Sequence, residues 1–405
     1  MKITAIISEY NPFHNGHKHL ITQARENNST HIAAIMGGNF LQRGNCAILD
    51  KYHRAEAAVL GGVDLVVELP QIYAVSCAES FAFGAVQTLD KCGCIDELAF
   101  GAECGDIAKL KQIADITTKS SDIEKLCKEF VKQGYSHPRA MQAAVQIITQ
   151  NGGISDILQN PNNTLAIEYI RTLNKLESNI KPFAVKRTGA MHNSKSTFNE
   201  FASASAIRNM ILNADNSYKE FIPSDTYDII NECIKIGECP ADFKNNERGI
   251  LAVLRSMTAE DFAKIPDVAE GLENRIVKAV RENNSISDII TSVKCKRYTH
   301  ARLSRIITCA YLGITSDIAS ISPKYIRVLA FNERGTEILK LMKQTASLPV
   351  IMSPAKDMKK LDEDGSKILD IDLRASDLHG LLTPGILSCG KDFYKGAVTY
   401  SHRLR

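Results

Sequence analysis

The sequence predicts an α/β fold, in which a Rossmann-like doubly wound parallel sheet is followed by a mostly α-helical C-terminal region. Short apolar runs alternate with helical segments near the start of the chain, a pattern typical of parallel sheets with helices packed on them. Polar and glycine-rich turns follow several of these runs. Beyond about Asn213 the apolar residues recur mostly at helical spacing, so strands are expected mainly in the first half.

Five segments are predicted as strands of the sheet. The first begins at Ile3, and the others are 31–36, 63–70, 96–100 and 181–187. Helical composition over 50–60, 78–89 and most of 105–175 separates them. A strand, a helix and a strand in succession imply a right-handed parallel unit. Ligands of such sheets bind beyond the carboxyl ends of the strands, so the segments that follow strands are the candidate site.

The turn after the first predicted strand contains two histidines, in the order His14-Asn15-Gly16-His17. A helix begins here, and a helix N-terminus favours phosphates because it carries unpaired N–H donors and the positive end of the dipole. Gly16 lets the backbone approach a ligand. His14 and His17 can each donate a hydrogen bond to a phosphate oxygen. The alternative is a solvated turn with two surface histidines.

The loop after the second predicted strand is another candidate. Asn39, Gln42 and Arg43 combine amide groups with a guanidinium, and such groups suit a second substrate or a phosphate. Asp50 and Lys51, at the start of the next helix, are predicted to lie near the site because that helix follows a strand end. The alternative for Arg43 is a surface position on an ordinary loop.

A second anion site is predicted where a helix begins after the last predicted strand. Ser203 or Ser205 can cap this helix, and Arg208 on its first turn can grip a phosphate in bidentate fashion. This site could face the histidine turn, or it could be a capped helix with a solvated arginine. An earlier helix begins near Asn162 and Asn163, for which capping of that helix is the alternative to a ligand contact.

The densest basic stretch leads into a helix in the second half of the chain. It contains Lys294, Lys296, Arg297, Tyr298, Arg302 and Arg305. Clustered cations with an interleaved aromatic residue indicate binding to a phosphate backbone, with Tyr298 able to stack on a base. A solvated helical face is the alternative.

The composition is ordinary for a soluble globular protein, with 44% hydrophobic and 23% charged residues among 405. This length allows two or three domains. We expect one domain over 1–213 and a mostly helical region over 214–405, which ends in a small mixed lobe with candidate strands at 350–352 and 368–371.

Charge and cysteine content exclude several classes of protein. The net charge of +3 is too small to require nucleic acid, so RNA contact must come from a local patch. The 11 cysteines are scattered and include no Cys-x-x-Cys pair, which argues against a disulfide framework and against a zinc site. Neither a membrane-spanning apolar run nor a signal-peptide core is present, so a cytoplasmic protein without membrane contact is expected.

Together these motifs resemble the bacterial tRNA(Met) cytidine acetate ligases, a family of the His-x-Gly-His nucleotidyltransferase superfamily. The matching segments are 9–17, 38–44, 50–51, 67–70, 100–101, 161–163, 186–187, 203–208, 270–275 and 296–299. After the basic pair at 186–187 the family tends to continue Gly-Ala-x-Tyr-His-Asp. Here Thr188–Asn193 lacks the tyrosine and ends in an amide.

The resemblance implies an enzyme that activates acetate with ATP to acetyl-adenylate and acetylates N4 of the wobble cytidine of elongator tRNA(Met). The chemistry of adenylation indicates catalytic roles for His14, His17 and Arg208, which would stabilise charge on the phosphates, with Mg²⁺ bound to the ATP. The implied ATP contacts are Ile7, Ser8, Glu9, Tyr10, Asn11, Pro12, Phe13, His14, Asn15, Gly16, His17, Lys18, His19, Leu20, Gly101, Asn162 and Arg187. Ser205 joins them because of its position at the second anion site.

In this interpretation the remaining candidates bind the other two substrates. Residues Asn39, Gln42, Arg43, Asp50 and Lys51 would face acetate or the tRNA end of the site, and the basic stretch would bind tRNA. Two other functions are compatible with the motifs. One is an adenylyltransferase of a small phosphorylated cofactor precursor, and the other is an RNA-binding protein that only senses ATP.

Overall fold

The computed structural model describes residues 1–150, 152–187, 201–269 and 271–400. One mixed sheet runs through these residues. Its strands are β1 (Ile3–Ser8), β2 (His31–Gly37), β3 (Leu65–Leu69), β4 (Glu97–Ala102), β5 (Lys181–Lys186), β6 (Ile326–Asn332), β7 (Val350–Ile351) and β8 (Val398–Tyr400).

The strands lie in the order β5-β4-β1-β2-β3-β6-β7, and β8 also pairs with β6. Neighbours among β1 to β5 are parallel, whereas β6 is antiparallel to β3. The chain starts in the middle, adds β2 and β3 on one side and then β4 and β5 on the other. The predicted doubly wound sheet and its five strands are therefore confirmed.

Helices cover both faces of the sheet, because alternate residues of each strand point to opposite sides. Ala5 of β1 and Ala33 of β2 belong to one hydrophobic cluster. Their neighbours Ile6 and Ala34 belong to another.

The helices of the first half are α1 (Asn15–Glu26), α2 (Lys51–Leu60), α3 (Gln71–Ala74), α4 (Ala78–Cys92), α5 (Ile107–Lys119), α6 (Ser121–Lys132), α7 (His137–Thr149), α8 (Gly152–Ile157), α9 (Pro161–Lys175) and α10 (Ala204–Leu212). Those of the second half are α11 (Ser224–Lys235), α12 (Glu247–Ser256), α13 (Ala259–Ala263), α14 (Leu272–Glu282), α15 (Ile286–Val293), α16 (His300–Leu312), α17 (Ser316–Ala319), α18 (Glu333–Thr345), α19 (Pro354–Asp357), α20 (Glu363–Gly380) and α21 (Lys391–Tyr394). In the described parts of the chain, none of these helices has both the length and the apolar character needed to span a membrane.

Of the two strands predicted near the end of the chain, the one at 350–352 is observed as β7. The strand predicted at 368–371 is wrong, because these residues lie inside α20, where Ile368, Leu369 and Asp372 are buried at helical spacing. β6 pairs with β3 and so extends the central sheet. The division at residue 213 stays a prediction.

Candidate functional site

The histidine turn connects the carboxyl end of β1 to the amino end of α1. His14 is the N-cap of α1, and its Nδ1 accepts the Gly16 backbone N–H at 3.0 Å. The backbone N–H of His14 donates to His17 Nδ1 at 3.2 Å. The two rings stack with their centroids 3.7 Å apart. Because both Nδ1 atoms accept hydrogen bonds, each neutral ring carries its proton on Nε2 and can donate that N–H to a ligand.

Both histidines are held in the neutral form. Burial, together with the charges of Arg187 and Arg208, lowers the pKa of His14 to about 3. Burial, His14 and Arg187 hold the pKa of His17 well below its usual range. At neutral pH the pair therefore acts through N–H donors, while the arginines supply the positive charge.

Arg208 joins the second anion site to the histidine turn. Its Nη1 donates to the backbone oxygen of Asn11 at 2.8 Å, and its Nη2 donates to Ser205 Oγ at 3.0 Å. Ser203 is the N-cap of α10 and accepts the Ala206 N–H. The start of α10 thus lies against the turn.

Arg187 lies on the other side of the turn, just after β5. Its backbone N–H donates to the oxygen of Ala102 at 3.0 Å. A Cβ added to Gly101 would lie 3.2 Å from Arg187 Cγ, so the absent side chain leaves room for the arginine. Burial lowers the pKa of Arg187, and the charge of Glu103 opposes this effect.

Asn162 and Asn163 bind Glu103 beside this arginine. Asn162 Nδ2 donates to Glu103 Oε1 at 2.6 Å, and the Asn163 backbone N–H donates to Glu103 Oε2 at 2.9 Å. The alternative capping role is wrong for both, because Asn160 is the N-cap of α9. Asn162 therefore connects α9 to the loop after β4.

The remaining predicted ATP contacts surround the turn in sequence. Tyr10 and Phe13 are buried and pack against the His17 ring, with centroids 4.9 and 5.6 Å from it. The others lie in β1, in the turn or on α1, and they are Ile7, Ser8, Glu9, Asn11, Pro12, Asn15, Lys18, His19 and Leu20.

The loop after β2 lies beside the same end of β1. The Gln42 backbone N–H donates to Glu9 Oε1 at 3.0 Å. Arg43 is exposed, and after the larger effect of burial its charge contributes to lowering the pKa of Arg208. Asn39 is buried. Gln42 therefore lies beside Glu9, and Arg43 lies near Arg208.

Lys51 is engaged inside the protein. It is 1% exposed, and its Nζ contacts Glu68 Oε1 and Asp392 Oδ2, each at 2.9 Å. Arg327 binds the same two carboxylates at 3.1 and 3.2 Å. We call Lys51, Glu68, Arg327 and Asp392 the buried ion cluster. This pairing speaks against direct contact of Lys51 with a substrate.

Asp50 is also occupied by protein groups. It caps α2 and accepts hydrogen bonds from the His53 backbone N–H and from Lys391. Although burial opposes ionisation, His53 and Lys391 hold the pKa of Asp50 well below its usual range. Asp50, His53 and Glu238 have ligand atoms within 4.8 Å of one another. Lys391 Nζ contacts both carboxylates. Although burial opposes it, the hydrogen bond to Asp50 raises the pKa of His53 to about 10, so two cations of the protein already neutralise this cluster.

Arg54 was missed by sequence reasoning. It is 0% exposed, and its guanidinium donates to the backbone oxygens of Glu9, Gly37, Gly38 and Leu49. It therefore joins the ends of β1 and β2 to the loop before α2. The available signal was an arginine within a helix whose other residues are mostly small or apolar.

The basic stretch is only partly exposed. Lys294 and Lys296 are exposed, whereas Tyr298 is 5% exposed. This burial speaks against the expected stacking of Tyr298 on a base.

Comparison with known proteins agrees with this geometry. The family model described as HIGH Nucleotidyl Transferase matches residues 1–390. A tRNA(Met) cytidine acetate ligase of Caldanaerobacter subterraneus is 40% identical over 399 residues, covering 97% of this chain and 98% of the relative. This chain belongs to the tRNA(Met) cytidine acetate ligase family. A Clostridium kluyveri member is 39% identical over 402 residues, with 95% of this chain and 96% of the relative covered.

Two solved structures match the fold of this chain over nearly its full length. Thermotoga maritima TmcAL in its apo form is 33% identical, with a TM-score of 0.95 over 99% of this chain and 100% of that one. The same protein bound with alpha-thio ATP has a TM-score of 0.93 and 32% identity, with the same coverage. The resemblance predicted from the motifs is confirmed. Glu270 and the Thr188–Asn193 segment lie outside the described residues.

Proposed function

We propose that this chain is an ATP-dependent ligase that converts acetate to acetyl-adenylate and then acetylates N4 of the wobble cytidine in elongator tRNA(Met). The observation that carries the proposal is the cluster of donors at the start of α1. Two neutral Nε2–H groups, two arginines and a helix N-terminus meet there. Neither Arg187 nor Arg208 forms a salt bridge with another described residue, so an anionic ligand would complete this site.

In the first step an acetate oxygen would attack the α-phosphorus of ATP in line with the leaving pyrophosphate. A bond forms between that oxygen and phosphorus, and the bond from phosphorus to the bridging oxygen breaks. His14 and His17 would donate Nε2–H to the phosphate oxygens as charge shifts onto them, and Arg208 would neutralise that charge. The enzyme would act by positioning and electrostatics, without a covalent intermediate.

In the second step the cytidine N4 amine would attack the acetyl carbonyl. The C–N bond forms, the bond between the carbonyl carbon and the oxygen that bridges it to phosphorus breaks, and AMP leaves with that oxygen while the amine loses a proton. The base must be splayed out of the anticodon loop to reach the adenylate. The loop that carries Gln42 and Arg43 lies beside Glu9, which supports a place for acetate or for the tRNA end at this loop.

We infer that Mg²⁺ enters with the ATP. This ion needs several oxygen ligands, but the carboxylates beside the turn already accept N–H groups. Glu9 is bound by Gln42, and Glu103 by Asn162 and Asn163. The phosphates would therefore be its main ligands, and it would offset their negative charge.

We assign catalysis to residues 1–213 and tRNA binding mainly to 214–405. The exposed lysines of the basic stretch support the second assignment, since phosphate contacts are usually made by such cations. A tRNA substrate would also place the reaction in the cytoplasm.

The test is mass spectrometry of tRNA nucleosides after incubation with ATP, acetate and unmodified elongator tRNA(Met). Wild type should form N4-acetylcytidine, and His17→Ala should lower the rate by about 10²- to 10³-fold through loss of one donor. His137→Ala, an exposed histidine at the start of α7, is the matched control. ATP cleavage without an acetylated base would favour the adenylyltransferase, and no turnover would favour an ATP-sensing protein.

A further inference from the structure

Three arginines surround the buried ring of Tyr298. The Cζ atoms of Arg275, Arg297 and Arg302 lie 5.6, 5.9 and 5.2 Å from the ring centroid. Such distances are typical of cation–π contacts. The first arginine comes from α14, the second from the loop before α16, and the third from α16 itself. We call these four residues the arginine fan.

Hydrogen bonds to backbone oxygens hold two arginines of the fan in place. Arg275 Nη2 donates to the backbone oxygen of Val293 at 3.1 Å. Arg302 donates to the backbone oxygen of Asp267 through Nε at 3.0 Å and Nη2 at 2.6 Å. Because the Tyr298 ring is buried, we expect it to keep the three guanidinium groups close to one another through its cation–π contacts. This arrangement reduces the entropy that flexible side chains lose when they bind.

Two of the three arginines of the fan contribute positive charge that no salt bridge within the described residues offsets. Neither Arg275 nor Arg302 has a salt bridge with a described carboxylate. Arg305, one turn further along α16, pairs with Asp267 at 2.9 Å. The exposed Lys294 and Lys296 precede the fan. Planar guanidinium groups match the oxygens of phosphate, so a polyanion with regularly spaced phosphates fits this surface.

The fan is connected to the ATP site through the loop after β2. Thr308 Oγ1 of α16 donates to the backbone oxygen of Gly44 at 2.8 Å. A Cβ on Gly44 would lie 2.4 Å from the Arg305 backbone nitrogen, so loop and helix are in direct contact. Arg43, which precedes Gly44 in this loop, is close enough to lower the pKa of Arg208, although burial is the larger cause of the lowering.

We propose that the arginine fan binds the phosphate backbone of the RNA substrate, with Arg275 as an additional RNA contact and Tyr298 as its support. From there Arg43 would continue the basic surface toward the ATP site, whereas the charge of Arg305 is offset by Asp267. The helix rises about 7.5 Å from His300 to Arg305, and Tyr298 lies two residues before it, which keeps the fan close to the catalytic end. The proposal rests on the proposed function because it takes RNA as the substrate.

The test measures the affinity for unmodified elongator tRNA(Met) as a function of salt, without ATP. Each phosphate contact contributes about 0.7 to 0.9 to the slope of log K against log salt, or about five- to eightfold in affinity at 0.1 M salt. Arg275→Gln should cause a loss of this size. Tyr298→Leu should cause a larger loss and a larger decrease in slope, whereas Tyr298→Phe keeps the ring face and should bind like wild type. Lys125→Gln, an exposed lysine on α6, is the control for the loss of one charge.

A double substitution tests whether the ring acts through the arginine. In the Tyr298→Leu background, Arg275→Gln should have much less effect than in wild type. The proposal is overturned if Arg275→Gln weakens binding no more than Lys125→Gln. It is also overturned if Tyr298→Leu weakens binding with an unchanged salt slope, which would indicate base stacking.

Acetate-dependent ATP–pyrophosphate exchange without tRNA separates this proposal from the proposed function. The variants should retain exchange, which shows that their catalytic domain is folded. If even wild type shows no exchange, the proposed function fails, and the binding comparison still decides the role of the fan.

Discussion

Two groups of buried or half-buried cations at neighbouring strand ends show opposite electrostatics. In the buried ion cluster, Lys51 and Arg327 share the carboxylates of Glu68 and Asp392. At the histidine turn, Arg208 donates hydrogen bonds to a backbone oxygen and a serine hydroxyl. The first group is neutral as a whole, whereas in the second group no carboxylate of the described residues forms a salt bridge with Arg187 or Arg208.

The pKa shifts follow from this difference. Burial alone would raise the pKa of Asp392, but Lys51 and Arg327 hold it well below its usual range. At the turn, burial and the charges of the arginines act in the same direction and lower the pKa of His14. A group completed by its own carboxylates serves stability. We expect the group whose arginines lack a salt bridge with a described carboxylate to bind an anionic ligand.

Removal of one cation from each group should therefore have opposite consequences. Lys51→Met leaves the Glu68 and Asp392 carboxylates short of a partner, which should lower the free energy of unfolding by about 3–5 kcal/mol. Arg208→Gln removes a charge that repels its neighbours, so stability without ATP should be unchanged or higher. Its activity should fall by about 10²- to 10³-fold. Urea unfolding and ATP–pyrophosphate exchange measure the two effects, and equal stability losses would contradict the comparison.

The two groups also differ in how far sequence reasoning could predict them. His14 and His17 lie three residues apart, and Arg208 occupies a recognisable helix start, so local patterns indicated all three. The partners of Lys51 are remote, with Asp392 separated from it by 341 positions. A basic residue near a strand end is compatible with a substrate contact or with an ion pair. Only the packing of β3, β6 and α21 decides between them.

The strands of the sheet also differ in how far the sequence predicts them. β1 to β5 are apolar runs between helices, and the sequence pattern identified them. β6 is also an apolar run, but Arg327 interrupts it and helices surround it, so the helical pattern of the second half obscured it. For Arg54 the composition of α2 gives only an indirect signal, because its four acceptors are backbone oxygens, which every residue carries.

Arg54 is a third kind of buried cation, whose guanidinium donates to four backbone oxygens around the site. Arg54→Lys keeps the charge but cannot span the Glu9, Gly37 and Leu49 oxygens, so we expect a loss of about 2 kcal/mol in unfolding free energy. Displacement of the turn should also lower kcat/KM for ATP by about tenfold or more. Exchange kinetics at varied ATP concentration measure this effect.

Arg25 provides the matched control at the opposite, amino-terminal ends of the strands. It donates to the backbone oxygens of Ser29 and Thr30 and to Asp64 Oδ2, before the strands begin. Arg25→Lys should lower stability and leave kcat/KM unchanged. If the two substitutions lower activity equally, Arg54 has only a structural role.

The smallest expected effect is a pH dependence that arises at the turn. In the unfolded chain a histidine titrates near pH 6.5, whereas the folded pKa of His14 is about 3. The unfolded state thus binds more protons between these values, so stability is lost as the pH falls below about 6.5. At about pH 5.5 the loss from His14 should be about 1.4 kcal/mol, and His14→Asn should remove this part of the difference between pH 7.5 and 5.5.

A bound nucleotide should change this pH dependence, because a phosphate near His14 favours the protonated imidazole and raises its pKa. Wild type saturated with a non-hydrolysable ATP analogue should therefore lose less stability between pH 7.5 and 5.5 than the free protein. Thermal unfolding at both pH values, with His14→Asn alongside, measures this linkage. An identical loss with and without the analogue would mean that the phosphates bind away from His14. The low pKa of His14 would then reflect only its surroundings in the folded protein, and the histidine turn would not differ from the buried ion cluster by binding an anion.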